Sequence, residues 1–245
     1  MDSIKNRRTI RRYSTKEISA DLLNDLLEIS LRASTTGNMQ LYSIIVTRDK
    51  EMKERLSPVH YNQPMIKNAP VVLTFCADFR RFSKWCELCG AVPGYDNFQS
   101  FMNAAMDTLL VAQTFCTVAE EAGLGICYIG TTTYNPEQVI DILKLPELVF
   151  PVTTITVGYP DGLPPQVDRL PLEAVVHHEY YRDYTSSQLN DLYAAKESLP
   201  ENVRFVQENG KESLAQVFTD IRYTRKDNEA ISEKLFIYLR QQKFM

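Results

Sequence analysis

Apolar or small residues occupy nearly every face of a helix-length stretch between Ala104 and Ala122. A helix that is apolar all round is buried, either in a protein core or in a membrane. Polar residues interrupt the stretch well short of the length that a bilayer requires. They are Asn103, Asp107, Gln113 and the pair Glu120–Glu121. The pattern therefore predicts a long buried central helix in a protein core.

A glycine-rich turn follows this helix. Gly123 and Gly125 predict its end, because glycine accepts the left-handed conformation found at helix C-termini. The apolar residues 126–129 then predict a short buried strand that ends at Gly130. A glycine at the end of a buried strand would let the backbone approach a flat ligand closely.

The remaining pattern predicts an α+β fold. Ser19 is a typical N-cap, and leucines on one face predict a helix that runs to about Ala33. Further helices are expected at 48–56 and 136–143, and strands at 42–47, 71–77 and 152–157. The aromatic stretch 80–100 is interpreted as an irregular loop that folds back on itself or covers a pocket. We expect a mixed sheet flanked by helices.

The composition changes after Gly158. Four prolines between residues 160 and 171 predict an extended segment, and short helices are expected near 212–218 and 228–239. The tail has little core of its own, so we expect it to wrap its own body or a partner subunit. The sequence thus predicts a core at 1–160 and a C-terminal extension at 161–245.

Composition limits the classes of function. The chain has 245 residues, 44% hydrophobic and 24% charged, with a net charge of −4, which gives no general basic surface for nucleic acid. An apolar leader does not follow Met1, so neither secretion nor membrane insertion is indicated. Five cysteines, an odd number, favour reduced thiols in the cytoplasm.

Metal chemistry has little basis in the sequence. Cys86 and Cys89 form a single CxxC pair, and the chain has only three histidines: His60, His177 and His178. A zinc site needs more ligands than one pair, so two unpaired thiols in a loop are favoured over a metal or redox site. His60 has no partner motif beside it and is interpreted as a surface or ring-stacking side chain rather than a catalytic base.

Three weak signals point to a phosphorylated ring compound. Four arginines within residues 7–12 offer bidentate donors for a phosphate, although a solvated basic turn or a nucleic-acid arm would look similar. Hydroxyl groups at 34–36 could form turns or bind a phosphate or sugar chain. Gln63 carries an amide suited to the edge of a heteroaromatic ring. The sequence lacks GxGxxG, P-loop, GxSxG and HExxH motifs, which favours chemistry carried by an organic cofactor.

Five motifs in order resemble one family. They are RRTIRRY, STTGNMQ, FCADF, GLGICYIG and VGYP…RLPLEAVVHHE, and they span roughly residues 4–180. Together they are similar to the oxygen-insensitive nitroreductase / NAD(P)H:flavin oxidoreductase family, in its larger branch with a long C-terminal arm. The resemblance implies an intertwined homodimer that binds FMN at its interface, with the long central helix in that interface.

The resemblance also implies an activity. It is a ping-pong transfer of two electrons from NADPH or NADH to small flat aromatic acceptors: nitroaromatics, quinones or flavins. The alternative is an FMN-binding member of the same fold without NAD(P)H oxidase activity, which stores or modifies flavin. An interaction protein that binds nucleic acid or an acidic partner through its arginines is disfavoured by the net acidity.

Site residues are carried over by position. The resemblance assigns the phosphate and pyrimidine side of FMN to the arginine segment, the ring edge to Gln63 and a backbone N–H toward flavin N5 to Gly130. Catalysis rests on the flavin, with Arg11 and Gly130 in support. The full set of implied FMN contacts is Arg7, Arg8, Thr9, Arg11, Thr35, Thr36, Gly37, Gln63, Tyr128, Ile129, Gly130 and Arg169. Candidates for gripping the nucleotide 2′-phosphate are Arg222, Arg225 and Lys226.

Overall fold

Four strands form one antiparallel sheet in the computed structural model, which describes residues 2–245. The strands are Tyr42–Thr47 (β1), Val71–Asp78 (β2), Gly125–Ile129 (β3) and Val149–Gly158 (β4). Their order across the sheet is β1-β2-β4-β3. β1 and β3 are therefore the two edge strands.

The α+β class is confirmed, but the expectation of a mixed sheet is wrong for these four strands. Every pairing among them is antiparallel. The connection from β1 to β2 shows why, because Thr47 at the end of β1 lies opposite Val72 at the start of β2. The intervening helices return the chain to the end of the sheet that it left, so the connection does not cross the sheet.

Eleven α-helices accompany the sheet in the described residues. In chain order, α1 to α11, they are Asp2–Lys5, Ala20–Ser30, Lys50–Val59, Pro64–Asn68, Arg80–Leu88, Phe98–Glu121, Pro136–Leu143, Ser186–Glu197, Pro200–Glu208, Leu214–Val217 and Arg225–Gln241. Short 3₁₀ turns occur at Thr36–Asn38 and Leu172–Ala174, and a π-helical turn at Phe218–Arg222. Ser19 caps α2 as predicted, since its hydroxyl accepts the backbone N–H of Leu22.

Helices cover both faces of the sheet. α2 and α6 pack against one face, through a core that includes Leu26, Phe75 and Phe115. α3, α4 and α7 pack against the other face, around Leu56 and Ile66. Side chains alternate between these two cores along β3, as the period of a strand requires.

The central helix differs from its prediction in length and in burial. α6 runs for 24 residues from Phe98, and one of its faces is exposed in the single chain. Met102, Met106, Leu109 and Leu110 on that face are each 40–48% exposed. The sequence shows that a face is apolar, but it does not show whether residues of the same chain cover that face.

The predicted aromatic loop at 80–100 is largely helical. α5 occupies Arg80–Leu88, and Phe79 and Phe82 pack with Tyr95 at ring-centroid distances of 4.5 and 5.6 Å. The irregular part is confined to residues 89–97. Asn97 then caps α6 by accepting the N–H of Ser100.

The chain divides into two compact units. One comprises residues up to Pro165 together with Ile231–Met245, and the other comprises Gln166–Ala230. The second unit contains α8, α9 and α10; α8 and α9 were missed by the sequence analysis. The predicted division at residue 160 stays a prediction, as does the wrapping role of the tail.

None of the helices in residues 2–245 is long and apolar enough to cross a membrane.

Candidate functional site

The arginine segment, residues 7–13, lies along the β3 edge of the sheet. The N–H of Ile10 donates to the carbonyl of Ile126 at 3.0 Å, and the Ile10 side chain is only 4% exposed. A Cβ on Gly125 would lie 2.5 Å from Ile10 Cγ1, so a side chain at this position would displace the segment. Burial of Ile10 turns the flanking residues Thr9 and Arg11 toward less buried positions.

Tyr13 anchors the other end of the segment. Its hydroxyl lies 2.8 Å from the carbonyl oxygen of Ile10 and 2.7 Å from Thr156 Oγ1. Burial raises the pKa of Tyr13, so the phenol stays protonated and can donate. The ring also packs where a Cβ on Gly158 would stand, 2.7 Å away. Gly125 and Gly158 therefore allow this segment to lie close against the sheet, because neither has a side chain.

The four arginines of the segment divide into two kinds. Arg7 pairs with Glu120 of α6 at 3.4 Å, and both side chains are largely buried. Arg8 donates to the carbonyl of Asn6 at 2.8 Å. Arg11 lies beside Cys127 and opposes the rise in the pKa of that thiol caused by burial. Within residues 2–245, no carboxylate forms an ion pair with Arg8, Arg11 or Arg12, so these guanidinium groups remain available to an anion.

Two clefts flank the segment. One, of about 230 Å³, is lined by Arg7 and Arg8 together with Glu120 and the glycine turn. The other, of about 350 Å³, is lined by Thr9, Arg11, Arg12 and residues 161–165. The segment therefore presents its cations to concave surfaces on both sides.

Gly130 lies exposed at the end of β3, as the sequence predicted. A Cβ built on it would meet no atom within 4 Å. The next residue, Thr131, is contacted at its hydroxyl by His60 Nδ1 at 3.0 Å and by Gln63 Nε2 at 3.4 Å. The structure thus brings Gln63 to the turn that carries Gly130.

His60 and Thr131 are the residues that sequence reasoning missed. His60 is fully buried, so its interpretation as a surface side chain is wrong. Burial lowers its pKa to about 4, so the ring is neutral near pH 7. Its Nε2 atom is buried without a hydrogen-bond partner in the described residues. The only sequence signal for Thr131 was its place directly after Gly130.

The two residues before Gly130 point in opposite directions. Tyr128 lies against α6, where its hydroxyl donates to Gln113 Oε1 at 3.4 Å, and burial raises its pKa. Ile129 is buried on the other face among Leu56 and Ile66. Of these three residues, Gly130 is the one left open.

The hydroxyl loop of Thr35, Thr36 and Gly37 lies at the opposite edge of the sheet. It precedes β1, and Gly37 adopts the left-handed conformation at φ +54°. Thr36 is held by Asp107 of α6 through its N–H and its hydroxyl, at 2.8 and 2.9 Å. Three strand spacings separate β1 from β3, about 14 Å. Within the described residues, no hydrogen bond joins this loop to the arginine segment or to Gly130.

The predicted residues of the second unit contact other residues of that same unit. Arg169 is exposed and donates to the carbonyl of Asp168 at 2.8 Å. Asp168 pairs with Lys196 at 2.7 Å. Arg222 lies over the Phe205 ring at 4.5 Å, and Arg225 pairs with Glu229 at 2.7 Å. Their roles toward FMN phosphate and nucleotide stay predictions.

The residues of the β3 edge fit the cofactor implied by the sequence. Guanidinium groups without a carboxylate partner in residues 2–245 suit a phosphate, and Gly130 leaves space where a Cβ would otherwise project. Cys127, beside Arg11, lies on β3, and Gly130 directly follows that strand, three residues further along, about 10 Å. Donors are thus offered to both ends of one extended ligand. For a metal ion, no cluster of three or more His, Cys, Asp or Glu side chains occurs in residues 2–245.

Comparison with known proteins of similar sequence and structure identifies the family of this chain. The sequence model of the nitroreductase family matches residues 4–159. An FMN reductase (NADPH) of Bacillus subtilis (strain 168) is 34% identical over 183 residues, covering 74% of each chain. A Cr(VI) reductase of Pseudomonas sp. (strain G-1) is 32% identical over 190 residues, covering 78% of each chain.

A crystal structure of a protein from Bacteroides fragilis NCTC 9343, described as a candidate oxidoreductase, has a TM-score of 0.99. It is 70% identical, and the match covers 100% of both chains. The family match covers more than half of the chain, and the resemblance noted from the five motifs is confirmed. The chain belongs to the nitroreductase family.

Proposed function

We propose that this protein oxidises NADPH or NADH and passes two electrons through a bound FMN to a small flat acceptor, in a ping-pong cycle. Its family and the relatives named as FMN reductases support an NAD(P)H-dependent oxidoreductase with FMN as cofactor, as the sequence analysis expected. The acceptor class, the order of the cycle and the site residues belong to the proposal.

The observation that carries the proposal is the β3 edge. It combines guanidinium groups free of carboxylates in residues 2–245 with an exposed glycine and an amide side chain. When bound, FMN supplies the capacity to accept a hydride and to release two electrons. The protein's own contribution is then to bind, to orient and to leave one surface open to the two reactants in turn.

Each part of the edge has a separate task in this proposal. Arg8 and Arg11, with Thr9 between them, hold the phosphate and the pyrimidine side. The exposed Gly130 lets the backbone N–H approach the ring without a side chain in between. Gln63, steadied at Thr131, offers its amide to the ring edge. Arg11 also stabilises negative charge that develops during reduction, because preorganised cations need no rearrangement when charge appears.

The proposed site requires a second copy of the chain. Thr35, Thr36 and Gly37 lie at the β1 edge, so they cannot join the arginine segment of the same chain. The exposed apolar face of α6 gives a surface for association, since contiguous apolar patches of this kind mark interfaces. We propose a homodimer in which the β1 loop of one subunit completes the β3 edge of the other.

The first experiment is a visible spectrum of the purified protein without oxygen, before and after addition of NADPH or NADH. A flavin band that bleaches with one nucleotide is the expected result, and it also identifies the preferred donor. A flavin band that neither nucleotide bleaches would favour the alternative of a flavin-storing or flavin-modifying protein. Failure to take up added FMN would contradict the assignment of the β3 edge.

A further inference from the structure

Two thiols at the end of α5, Cys86 and Cys89, take no part in the proposed flavin site. Cys86 is half-buried and Cys89 is exposed, whereas Cys76, Cys116 and Cys127 are buried. Burial raises the pKa of all three buried thiols, that of Cys116 to about 12. Reagents in solution therefore meet the α5 pair before any other cysteine.

The spacing of the pair is set by the backbone. Cys89 caps the helix, and its N–H donates to the carbonyl of Cys86 at 3.0 Å. The same carbonyl accepts the N–H of Ala91 at 2.9 Å, and Gly90 turns the chain away at φ +76°. These bonds keep the last turn closed. Residues three apart on a closed helical turn share a face, with Cβ atoms about 5–6 Å apart.

This spacing distinguishes between two kinds of dithiol chemistry. An unstrained disulfide requires Cβ atoms about 3.5–4.5 Å apart, so it would require the turn to open. A single atom that bridges the two sulfurs fits the wider spacing. Tetrahedral zinc needs four ligands, and residues 2–245 hold no cluster of three or more His, Cys, Asp or Glu side chains. The pair therefore suits a centre that needs only two thiolates.

The aromatic side chains of Phe82 and Trp85 form an apolar surface beside the thiols. Phe82 precedes Cys86 by four positions and Trp85 precedes Cys89 by four, so both rings share the face of the thiols. The two rings lie 5.4 Å apart at their centroids. Trp85 is 58% exposed and Leu88 is 88% exposed. An organic substituent on the bridging atom would find an aromatic surface here.

We propose that Cys86 and Cys89 form a binding site for monosubstituted organoarsenicals in the trivalent state, with the organic group against Trp85. Such an arsenical carries one carbon substituent and exchanges its two remaining positions. For the oxide form, with one oxygen double-bonded to arsenic, two As–S bonds form and the arsenic–oxygen double bond breaks. The oxygen leaves as water with both thiol protons, and the oxidation state of arsenic is unchanged.

The test uses phenylarsine oxide and the full-length protein with its cofactor. We expect one phenylarsenic group per chain by intact mass, with the loss of two titratable thiols. Trp85 is the only tryptophan, so its fluorescence should change on binding. Either Cys86→Ser or Cys89→Ser should weaken retention of the phenylarsenic group against excess 2-mercaptoethanol by roughly 100-fold. The reason is that the protein then cannot form the second As–S bond intramolecularly. Cys116→Ala is the matched control and should bind as the wild type does.

Two comparisons separate the site from general thiol reactivity. Trp85→Ala should weaken binding of phenylarsine oxide several-fold while leaving that of its methyl counterpart unchanged. Fragmentation of the digested adduct should locate arsenic on Cys86 and Cys89, whether or not the variants fold. An adduct on another cysteine, or on one thiol only, would overturn the proposal. Ready formation of a Cys86–Cys89 disulfide in the folded protein with hydrogen peroxide would also overturn it.

Discussion

Asp107 holds Thr36 with two hydrogen bonds to one carboxylate oxygen. Its Oδ1 atom accepts the backbone N–H of Thr36 at 2.8 Å and the Thr36 hydroxyl at 2.9 Å. Its Oδ2 atom accepts the N–H of Leu41 at 3.2 Å. The side chain is almost fully buried on α6, so these three donors satisfy a charge that has left water. The central helix thereby fixes the loop that carries the predicted hydroxyl groups.

Replacing Asp107 should destabilise the protein. Asp107→Ala leaves two buried or half-buried N–H groups without their acceptor, and we expect a loss of roughly 3 kcal/mol in the free energy of unfolding. Asp107→Asn keeps an acceptor and should cost less. Urea denaturation of the cofactor-free protein measures both. The exposed Asp96→Asn is the control and should change stability by less than about 0.5 kcal/mol.

Mixed dimers should test whether the site is shared between subunits. Arg11→Ala impairs the arginine segment, and the double variant Thr35→Ala, Thr36→Val impairs the loop. In a mixed dimer, one site carries both defects and the other carries neither. Co-expression with two purification tags should therefore restore up to about half of the wild-type FMN content and activity. Activity no higher than the mean of the two parent variants would contradict a shared site.

Two glycine substitutions should differ in their effects on folding and on cofactor binding. Gly125→Ala places a methyl group 2.5 Å from Ile10, and overpacking of this kind costs about 1–3 kcal/mol. Gly130→Ala meets open space, so the stability of the cofactor-free protein should change by less than about 0.5 kcal/mol. The added methyl group would stand where the ring is proposed to lie, and FMN affinity should fall about tenfold. Thermal denaturation and FMN titration of both variants give the comparison.

Arg11→Ala should lower FMN affinity. A hydrogen bond to a charged group contributes about 1.5–3 kcal/mol, which corresponds to roughly a 10–100-fold change in the dissociation constant. Arg11→Lys keeps the charge without the bidentate geometry, so its FMN affinity should lie between those of the wild type and Arg11→Ala. Arg55→Ala, exposed on α3, is the matched control. Equal FMN content in all four proteins would rule out a role for Arg11 in binding.

His60 should make stability depend on pH. Burial lowers its pKa from 6.5 to about 4, so in this window the unfolded chain binds more protons than the folded one. Stability is therefore lost as the pH falls from about 6.5 to 4, by up to roughly 3 kcal/mol. The free energy of unfolding of His60→Asn, measured at pH 4.5 and at pH 7, should lack this loss. His178→Asn, at an exposed position, should keep the wild-type slope.

The sequence predicted those parts of the fold that depend on local pattern. β1 has the predicted bounds, and Ser19 caps its helix, because a run of β-branched residues and a capping hydroxyl are properties of a few adjacent residues. It did not predict the burial of His60. The buried ring bonds to Thr131, 71 positions away, and no local pattern connects the two residues. Helix α5 was missed because its aromatic residues were taken as signs of an irregular loop.

The candidate site also has features that the sequence predicted and features that only the structure shows. The arginine cluster and Gly130 were found from residue type and position alone. The constraint that Gly125 and Gly158 place on residues 10 and 13 required coordinates, since it arises from backbone contact between distant segments. The α6 face was apolar in the sequence, but only the structure shows which of its residues the rest of the chain leaves uncovered.

In the proposed homodimer, the arginine segment and the loop of Thr35, Thr36 and Gly37 lie at opposite edges of one sheet, which would couple enzyme activity to protein concentration. A lone subunit in the proposed assembly holds only half of the cofactor's contacts. Dilution below the dissociation constant of the dimer should therefore release flavin and lower the activity per chain. By the same linkage, added FMN should draw subunits together, so that cofactor supply regulates how much assembled enzyme is present.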